Sequence, residues 1–368
     1  MQIKRLLVTG AGGAAGANFI RSLRAAPARF YIVGTDTQRH NLAAADADAK
    51  YLVPAASSPD YLAALNHIID AERVDFLHPQ PDVEVRVISQ HRDRLHAPVW
   101  LPDHETICAC QDKAASASIW RDAGLLRSKA VAIEGDDSLV RASDILGLPF
   151  WLRPRCGAGA RAAAPVHNLR AAEHWLGFWR MQGIEGFVAQ ELLPGREFAV
   201  ASIWCEGRMV TSVTYERLGY LQAHLTPSGK TGAANAMVVR HESRAIDLAQ
   251  QCVKTIDSAA SGVFCIDLRE NRHGQLQPTE INCGRFFTAS WFWTRAGANL
   301  PYAFISLADD ERAAALPPHH SAPDGQLWIR RIDADSTLIC TSDMDGISQA
   351  TSDGISSVSS SIRGGPNQ

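Results

Sequence analysis

Side chains with oxygen atoms that could bind a metal lie in two short segments in the last third of the sequence. Asp267 lies in 264-FCIDL-268, and Glu280 and Asn282 lie in 279-TEIN-282. Residues two apart on a strand project from the same face, and Asp267 can reach them from a paired strand. Oxygen ligands that leave room for phosphate and water are typical of Mg²⁺, with Mn²⁺ as a substitute. We therefore predict a metal site at these three residues. The alternative for any one of them is a solvated strand residue.

A cation and a glycine-rich turn follow one another in 151-WLRPRCGAGARAA-163. The backbone amides of a glycine turn can close over phosphate oxygens, and an arginine beside them can neutralise the phosphate charge. Arg153, Gly157 and Gly159 are therefore candidate phosphate contacts. The alternative is an ordinary hairpin loop with surface arginines.

The segment 189-AQELLPGREF-198 has the groups that an adenosine needs. Backbone N–H and C=O groups at Leu192 and Leu193 can pair with an adenine edge while the leucines pack on the ring. Glu197 can accept hydrogen bonds from two ribose hydroxyls, and Glu191 belongs to the same candidate site. The alternative is a Pro-Gly turn between two strands, with Glu191 and Glu197 in solvent.

Four cationic residues lie on or near segments expected to line the same cleft, where they are candidates to contact an anionic acceptor. They are Arg217, Lys230, Arg285 and Arg295. Lys230 lies in 226-TPSGKTGAAN-235, a loop that can close over a substrate. We predict catalytic contacts for Arg217, Lys230 and Arg285. The alternative for each is a surface or structural role.

The chain opens with another glycine-rich turn, in 3-IKRLLVTGAGGAAGANFIRSLR-24. A strand turns into a helix there, and the spacing from Gly10 to Gly16 fits both a dinucleotide-binding turn and the TGxxGxxG form of short-chain dehydrogenases. Asp36 ends the next strand, where an acidic residue would bind a ribose hydroxyl. These features favour NAD(P). However, no tyrosine has a lysine four residues on, as a short-chain dehydrogenase requires.

Strand and helix patterns alternate through the first hundred residues, which predicts a parallel, doubly wound sheet. The predicted strands cover 3–8, 30–36, 74–79 and 98–102. Asp112 is predicted to cap a helix over 113–124 that ends on Gly124. Beyond it, strands joined by short glycine-containing turns favour antiparallel pairing, with one helix over 242–257. The predicted fold class is α/β followed by α+β.

Composition describes a globular protein. The chain has 368 residues, of which 46% are hydrophobic and 20% charged, and its formal net charge is −3. Such a charge provides no general attraction to nucleic acid or to anionic lipid. The eight cysteines form no CxxC pair. We predict reduced thiols in a cytoplasmic protein without a nucleic-acid or membrane partner. Residues 341–368 are rich in Ser, Gly and Asp and are predicted to be a disordered tail.

The order of these segments resembles the ATP-grasp superfamily, and within it the large subunit of carbamoyl-phosphate synthase, over about residues 1–310. The motifs that carry the resemblance are 112-DK-113, 153-RPRCGAGA-160, 190-QELLPGREF-198 and Asp267 with 280-EIN-282. Members of the superfamily commonly read E-x-N-x-R, whereas this chain reads 280-EINCGR-285. Arg285 is therefore displaced by one residue. Arg285 could serve either phosphoryl transfer or acceptor binding, and the sequence leaves both roles open.

The resemblance implies a Rossmann-like pre-ATP-grasp domain over 1–103 and a two-lobed ATP-grasp domain over 104–310, with a lid lobe over about 125–192. The second domain is expected to have mainly antiparallel sheets. A C-terminal strand segment over 311–340 precedes the tail. The resemblance also implies ATP as the nucleotide, with Lys113 near its α-phosphate. It is compatible with a homodimer.

The implied activity is an ADP-forming ligase that joins a small carboxylate to an amine, or to a thiol, through an acyl phosphate. Three alternatives stay open. A carbamate or carboxylate kinase of the carbamoyl-phosphate-synthase type would use the same site and omit the second step. A nucleotide-binding module would bind ATP without turnover. A short-chain-dehydrogenase-like protein would bind NAD(P) at the opening glycine turn.

Overall fold

The computed structural model describes residues 3–135, 137–155, 161–308, 317, 319–331 and 348–357. Within these ranges the chain forms one largely parallel sheet and two antiparallel sheets. None of the helices in these ranges has the length and apolar character needed to span a membrane.

The N-terminal domain is built around parallel strands with helices between them. Its elements are β1 Lys4–Val8, α1 Ala14–Arg24, β2 Phe30–Asp36, α2 Arg39–Ala43, β3 Ala49–Leu52, α3 Tyr61–Glu72, β4 Phe76–His78 and α4 Asp82–Gln90. The strands pair in the order β3-β2-β1-β4, which confirms the predicted parallel sheet. The predicted strand over 98–102 is wrong. Pro98 and Pro102 lack the N–H that a ladder needs, although the Pro98 carbonyl accepts a hydrogen bond from Leu77 N at 3.0 Å.

The opening glycine turn is packed by the chain itself. Gly10 has φ +57°, and a β-carbon there would lie 2.6 Å from Pro81 Cγ. A β-carbon on Gly12 would lie 2.2 Å from the backbone carbonyl carbon of Asn41, in α2. The Asp36 carboxylate accepts a hydrogen bond from Gln38 N at 2.9 Å. The close approaches that require glycine here are therefore made to protein backbone and side chains.

Two helices connect the domains, α5 His104–Gln111 and α6 Lys113–Asp122. Asp112 caps α6 as predicted, because its carboxylate accepts hydrogen bonds from Ala114 N at 2.9 Å and Ala115 N at 3.2 Å. Gly124 follows with φ +72°, the left-handed conformation expected where a helix ends.

The smaller antiparallel sheet lies within the range predicted for the lid lobe. Its elements are β5 Ala130–Ile133, α7 Ser138–Leu146, β6 Phe150–Pro154, β7 Ala164–Val166, α8 Leu169–Met181 and β8 Phe187–Glu191. The strand order is β5-β8-β6-β7. Phe150, Leu152 and Phe187 are buried with α7 and α8 in a hydrophobic cluster of this lobe alone.

The larger antiparallel sheet is packed on both faces. Its elements are β9 Glu197–Cys205, β10 Arg208–Tyr220, β11 Ala234–Val239, α9 Ser243–Ile256, β12 Gly262–Glu270, β13 Leu276–Cys283, α10 Ser290–Arg295, α11 Leu300–Ala308 and β14 Leu327–Ile329. The strand order is β13-β12-β9-β10-β11-β14. Phe198 and Val200 pack in the cluster that contains α9, whereas Ala199 and Ala201 pack in the cluster that contains α10 and α11. Alternate residues of β9 thus pack in two different hydrophobic clusters, one on each face of the sheet.

Part of the predicted tail is ordered into strands. The hairpin of β15 Ser348–Thr351 and β16 Gly354–Ser357 pairs in parallel with β3 and extends the N-terminal sheet. Ala350 is fully buried, so the prediction of disorder is wrong for these residues. Composition misled the prediction because main-chain hydrogen bonds at a free sheet edge do not depend on apolar side chains. The rest of the predicted tail lies outside the described residues.

The substitution Gly12→Ala is expected to lower the free energy of unfolding by about 1–3 kcal/mol, because the added β-carbon overlaps the backbone of α2. Urea denaturation measures the change. Gly177→Ala is the matched control, since an added β-carbon at this helical position in α8 has no neighbour within 4 Å. The control should gain about 0.5–1 kcal/mol. Wild-type stability of Gly12→Ala would contradict the observed packing.

Candidate functional site

A cavity of about 560 Å³ lies between the two antiparallel sheets. Most of the residues selected from the sequence line it. They are Lys113, Arg153, Glu191, Leu192, Leu193, Glu197, Arg217, Lys230, Asp267, Glu280, Asn282 and Arg285. Gly157 and Gly159 lie outside the described residues. Arg295 is not among the cavity residues and lies in a shallow surface groove with Arg21 and Trp291.

The candidate metal ligands are held together by sheet register. Asp267 on β12 stands directly opposite Glu280 on β13, and a register shift follows immediately after this pair. Asn282 lies on the same strand as Glu280, with Nδ2 3.4 Å from Glu280 Oε1. The Thr279 hydroxyl donates to the Asp267 backbone carbonyl at 3.0 Å. Two carboxylates and one amide oxygen therefore face the same cavity.

Two cations flank Glu280. Lys113 Nζ lies 3.6 Å from Glu280 Oε1, and Arg153 Nη1 lies 3.8 Å from Oε2. Arg153 Nη2 also donates to the Thr279 carbonyl at 2.7 Å. Burial lowers the pKa of the Arg153 guanidinium, although the charges of Glu280 and Asp267 oppose the change. Positive charge is thus concentrated beside the candidate metal ligands.

Glu197 is the most heavily paired carboxylate in the cavity. One oxygen accepts hydrogen bonds from Arg217 Nη1 at 3.2 Å and from the Tyr220 hydroxyl. The other accepts from Lys230 Nζ and lies 3.5 Å from Arg269 Nη1. Burial would raise the pKa of Glu197, but the charges of Arg217 and Lys230 and the hydrogen bonds from Lys230 and Tyr220 lower it to about 2. Glu197 is therefore ionised at neutral pH and surrounded by donors.

Arg217 links this cluster to the metal-ligand set. Its Nη2 donates to Asp267 Oδ1 at 2.7 Å, while its Nη1 contacts Glu197. Burial raises the pKa of Asp267, and the Arg217 charge only partly offsets that effect. The second oxygen of Asp267 has no hydrogen bond among those found in the described residues, so it is available as a ligand.

Arg285 is held by the N-terminal domain. Its Nε donates to Asp82 Oδ1 and its Nη2 donates to Asp82 Oδ2 at 3.0 Å. The same Nη2 donates to Asn282 Oδ1 at 2.9 Å. Asp82 was not predicted as a site residue, because it is distant in sequence from every motif. The cavity-lining residues Trp151, Tyr220 and Arg269 were missed as well. Arg269 becomes recognisable only through its register with Glu197, and Tyr220 only through its hydrogen bond to Glu197.

The donor set fits Mg²⁺ bound together with a nucleotide. Within the described ranges, no cluster of three or more His, Cys, Asp and Glu side chains has the arrangement needed to hold a metal ion by itself. Mg²⁺ is commonly held by one or two carboxylates together with substrate phosphates and water. Asp267, Glu280 and the Asn282 amide match that requirement, and Lys113 and Arg153 place positive charge within 4 Å of Glu280.

Comparison with known proteins identifies the fold. Residues 6–98 match the family model of the PylC-like N-terminal domain. The N5-carboxyaminoimidazole synthetase of Staphylococcus aureus complexed with ADP is 16% identical with a TM-score of 0.65, over 87% of this chain and 80% of that one. The biotin carboxylase of Campylobacter jejuni in its β-γ-ATP complex is 16% identical with a TM-score of 0.64, over 89% and 74%.

The L-amino acid ligase of Bacillus licheniformis is 13% identical with a TM-score of 0.60, over 84% of this chain and 74% of that one. At such identities the likeness shows the fold alone. The chain has the ATP-grasp fold, with a Rossmann-like N-terminal domain and antiparallel sheets in the other lobes. The resemblance predicted from the sequence is confirmed at this level.

The pairing of Glu197 predicts a pH-dependent stability. Because its folded-state pKa is lowered from the usual 4.5 to about 2, its contribution is present above about pH 4.5 and is lost as the pH falls toward 2. That depression corresponds to about 3 kcal/mol. Urea denaturation of wild type and Glu197→Gln should give a difference that is largest above pH 4.5 and shrinks below it.

Glu173→Gln is the control for this titration because Glu173 is exposed on α8. It should show little difference from wild type at any pH. A Glu197→Gln difference that stays constant from pH 7 to pH 3 would contradict the assigned pairing.

Proposed function

We propose that the protein is an ATP-dependent ligase that joins a small carboxylate to an amine and releases ADP and phosphate. The observation that carries the proposal is the opposition of Asp267 and Glu280 on paired strands, next to Lys113 and Arg153 and inside one cavity. The fold supports it, because solved structures with this fold include nucleotide complexes of synthetases and carboxylases.

ATP would lie along the cavity between the two lobes. Leu192 and Leu193 would contact the adenine, and Trp151 and Ala163 line the same cavity. The triphosphate would lie toward Lys113 and Arg153, which in this structure compensate Glu280. Glu197 would accept the ribose hydroxyls only after its bond to Lys230 is released, because Lys230 and Tyr220 occupy both of its oxygens.

Asp267, Glu280 and Asn282 would hold Mg²⁺. When bound there, the ion supplies charge neutralisation on the phosphate oxygens. Arg217 orients Asp267 through its bond to Oδ1, and its charge opposes the rise in the pKa of Asp267 that burial causes. Arg285 orients the Asn282 amide oxygen through a bond of 2.9 Å. The protein thus contributes positioned ligands and cations, and the chemistry requires no Ser or Cys nucleophile.

The reaction would proceed in two steps. A carboxylate oxygen of the acceptor attacks the γ-phosphorus, so ADP leaves and an acyl phosphate forms. The amine then attacks the acyl carbon, and phosphate leaves. Arg217, Lys230 and Arg285 line the cavity and would contact the acceptor, and the lobes would exclude water that hydrolyses the acyl phosphate. A cytoplasmic location and a homodimer stay predictions.

Thermal-shift measurements separate this proposal from its alternatives, since a ligand that binds only the folded state raises the midpoint of unfolding. The purified protein is scanned with Mg²⁺ plus ATP, Mg²⁺ plus ADP, NAD and NADP. We expect ATP and ADP, each with Mg²⁺, to raise the midpoint of unfolding, and NAD and NADP to leave it unchanged. Stabilisation by NAD or NADP alone would overturn the proposal. A kinase would release ADP with a carboxylate and no amine, and a binding module would bind ATP without ADP release.

Glu280→Gln is expected to abolish ADP formation, because it removes a charged ligand opposite Asp267 and leaves Lys113 and Arg153 without their shared carboxylate. A coupled assay of ADP release measures the loss, and the far-ultraviolet circular dichroism spectrum should be unchanged. Glu173→Gln makes the same substitution at an exposed position of α8, so it is the matched control and should keep wild-type turnover. Unchanged turnover of Glu280→Gln would refute the metal assignment.

A further inference from the structure

The segment that follows β13 is contacted by the N-terminal domain along its length. Asn18 Nδ2 donates to the Thr288 carbonyl at 2.7 Å. The Phe286 ring lies 5.5 Å from the ring of Phe19 and 5.7 Å from that of His78. His78 is buried, and neither of its ring nitrogens has a hydrogen-bond partner among the described residues, so it packs here as an aromatic ring. Thr288 also lines the proposed ATP cavity.

Arg285 is the charged residue of this segment, and Asp82 fixes it at two points. Both oxygens of Asp82 accept from the guanidinium, one from Nε and the other from Nη2. Such bidentate pairing holds the guanidinium plane in one orientation. Nη2 is then left pointing to Asn282 Oδ1, 2.9 Å away. The geometry forms a chain of contacts from Asp82 through Arg285 to a candidate metal ligand.

Asp82 is itself held in place. It is the first residue of α4, where the partial positive charge of a helix N-terminus favours a carboxylate. Its carbonyl accepts from Gln111 Nε2 at 2.9 Å. Pro81, directly before it, packs on Gly10, where an added β-carbon would lie 2.6 Å from Pro81 Cγ. The opening glycine turn therefore supports the residue that holds Arg285.

Compared with the E-x-N-x-R pattern, this chain has one additional residue between Asn282 and Arg285, and the close packing of Gly284 explains it. Gly284 has φ +75°, and a β-carbon there would lie 2.8 Å from Val85 Cγ1 and 3.1 Å from Leu101 Cδ2. Helix α4 therefore approaches the chain at a point where only glycine fits without displacement. This approach brings Asp82 within reach of Arg285.

We propose that Asp82 is a positioning residue for phosphoryl transfer, acting through Arg285 on Asn282, and that the N-terminal domain serves the ATP cavity through this contact. The inference rests on the proposed ligase function. Asp82 does not line the cavity, so its effect must pass through Arg285. Loss of the pairing frees the guanidinium to rotate away from the amide. The catalytic geometry is then lost while the adenine and phosphate contacts remain.

The test compares Asp82→Asn, Asp82→Glu, Arg285→Lys and the double variant Asp82→Asn/Arg285→Lys by ADP release. We expect kcat of Asp82→Asn to fall by about 10²-fold, the effect of a small misplacement at a reacting centre, while KM for ATP stays near the wild-type value. Asp82→Glu should regain part of kcat. The double variant should be no slower than Arg285→Lys, because residues that act as a unit are not additive.

Asp93→Asn is the matched control, since Asp93 is exposed on the same domain. A readout without turnover is the thermal shift produced by a non-hydrolysable ATP analogue with and without Mg²⁺. Asp82→Asn should keep the shift by the analogue alone and lose most of the additional Mg²⁺-dependent shift.

The outcomes distinguish the inference from the function on which it rests. Absence of ADP release by wild-type protein with every acceptor refutes the proposed function, and the inference falls with it. Wild-type ADP release with an unchanged kcat in Asp82→Asn overturns the inference alone. A lowered midpoint of unfolding with additive losses in the double variant assigns Asp82 a purely structural role and also overturns it.

Discussion

The candidate site depends on the pairing of buried carboxylates with cations across the larger antiparallel sheet. Glu197, Asp267 and Glu280 lie on neighbouring strands, and a charge taken out of water is tolerated only with a partner nearby. Arg217 bridges the first two, and Lys113 and Arg153 flank the third. Removing one member leaves another charge buried without compensation. The array therefore acts as one unit, and a polyanion that enters the cavity competes with the carboxylates for the same cations.

The strand register determines which charges meet. On β9, β10 and β12, alternate residues pack in the apolar cluster that contains α10 and α11, as Ala199, Tyr215 and Cys265 do. At the ends of these strands that face the cavity, the same faces present charge instead: Arg217 and Arg269 stand opposite Glu197. One sheet face thus passes from hydrophobic core to ionic cavity. A shift of one residue in register would send every one of these side chains to the opposite face.

The N-terminal domain carries a dinucleotide-type glycine turn and yet packs that turn against its own chain. Gly10 supports Pro81 and Gly12 accommodates α2, so the space that a cofactor backbone contact requires is filled by protein. The domain instead contacts the segment after β13 through Asn18, Phe19 and Asp82. A motif that is typical of one ligand therefore has a structural and positioning use in this fold.

The sequence by itself determined the parallel N-terminal sheet, the Asp112 cap and the grouping of cavity residues on strands and in the Pro-Gly turn before Glu197. These features depend on local periodicity and on spacing along the chain. The sequence did not determine the Asp82–Arg285 pair, the three hydrogen-bond donors and the nearby Arg269 around Glu197, or the β15–β16 hairpin at the edge of β3. Those contacts join residues far apart in the chain. Only the tertiary structure decides them, since register, close approach at Gly284 and a free sheet edge exist only after the lobes have packed.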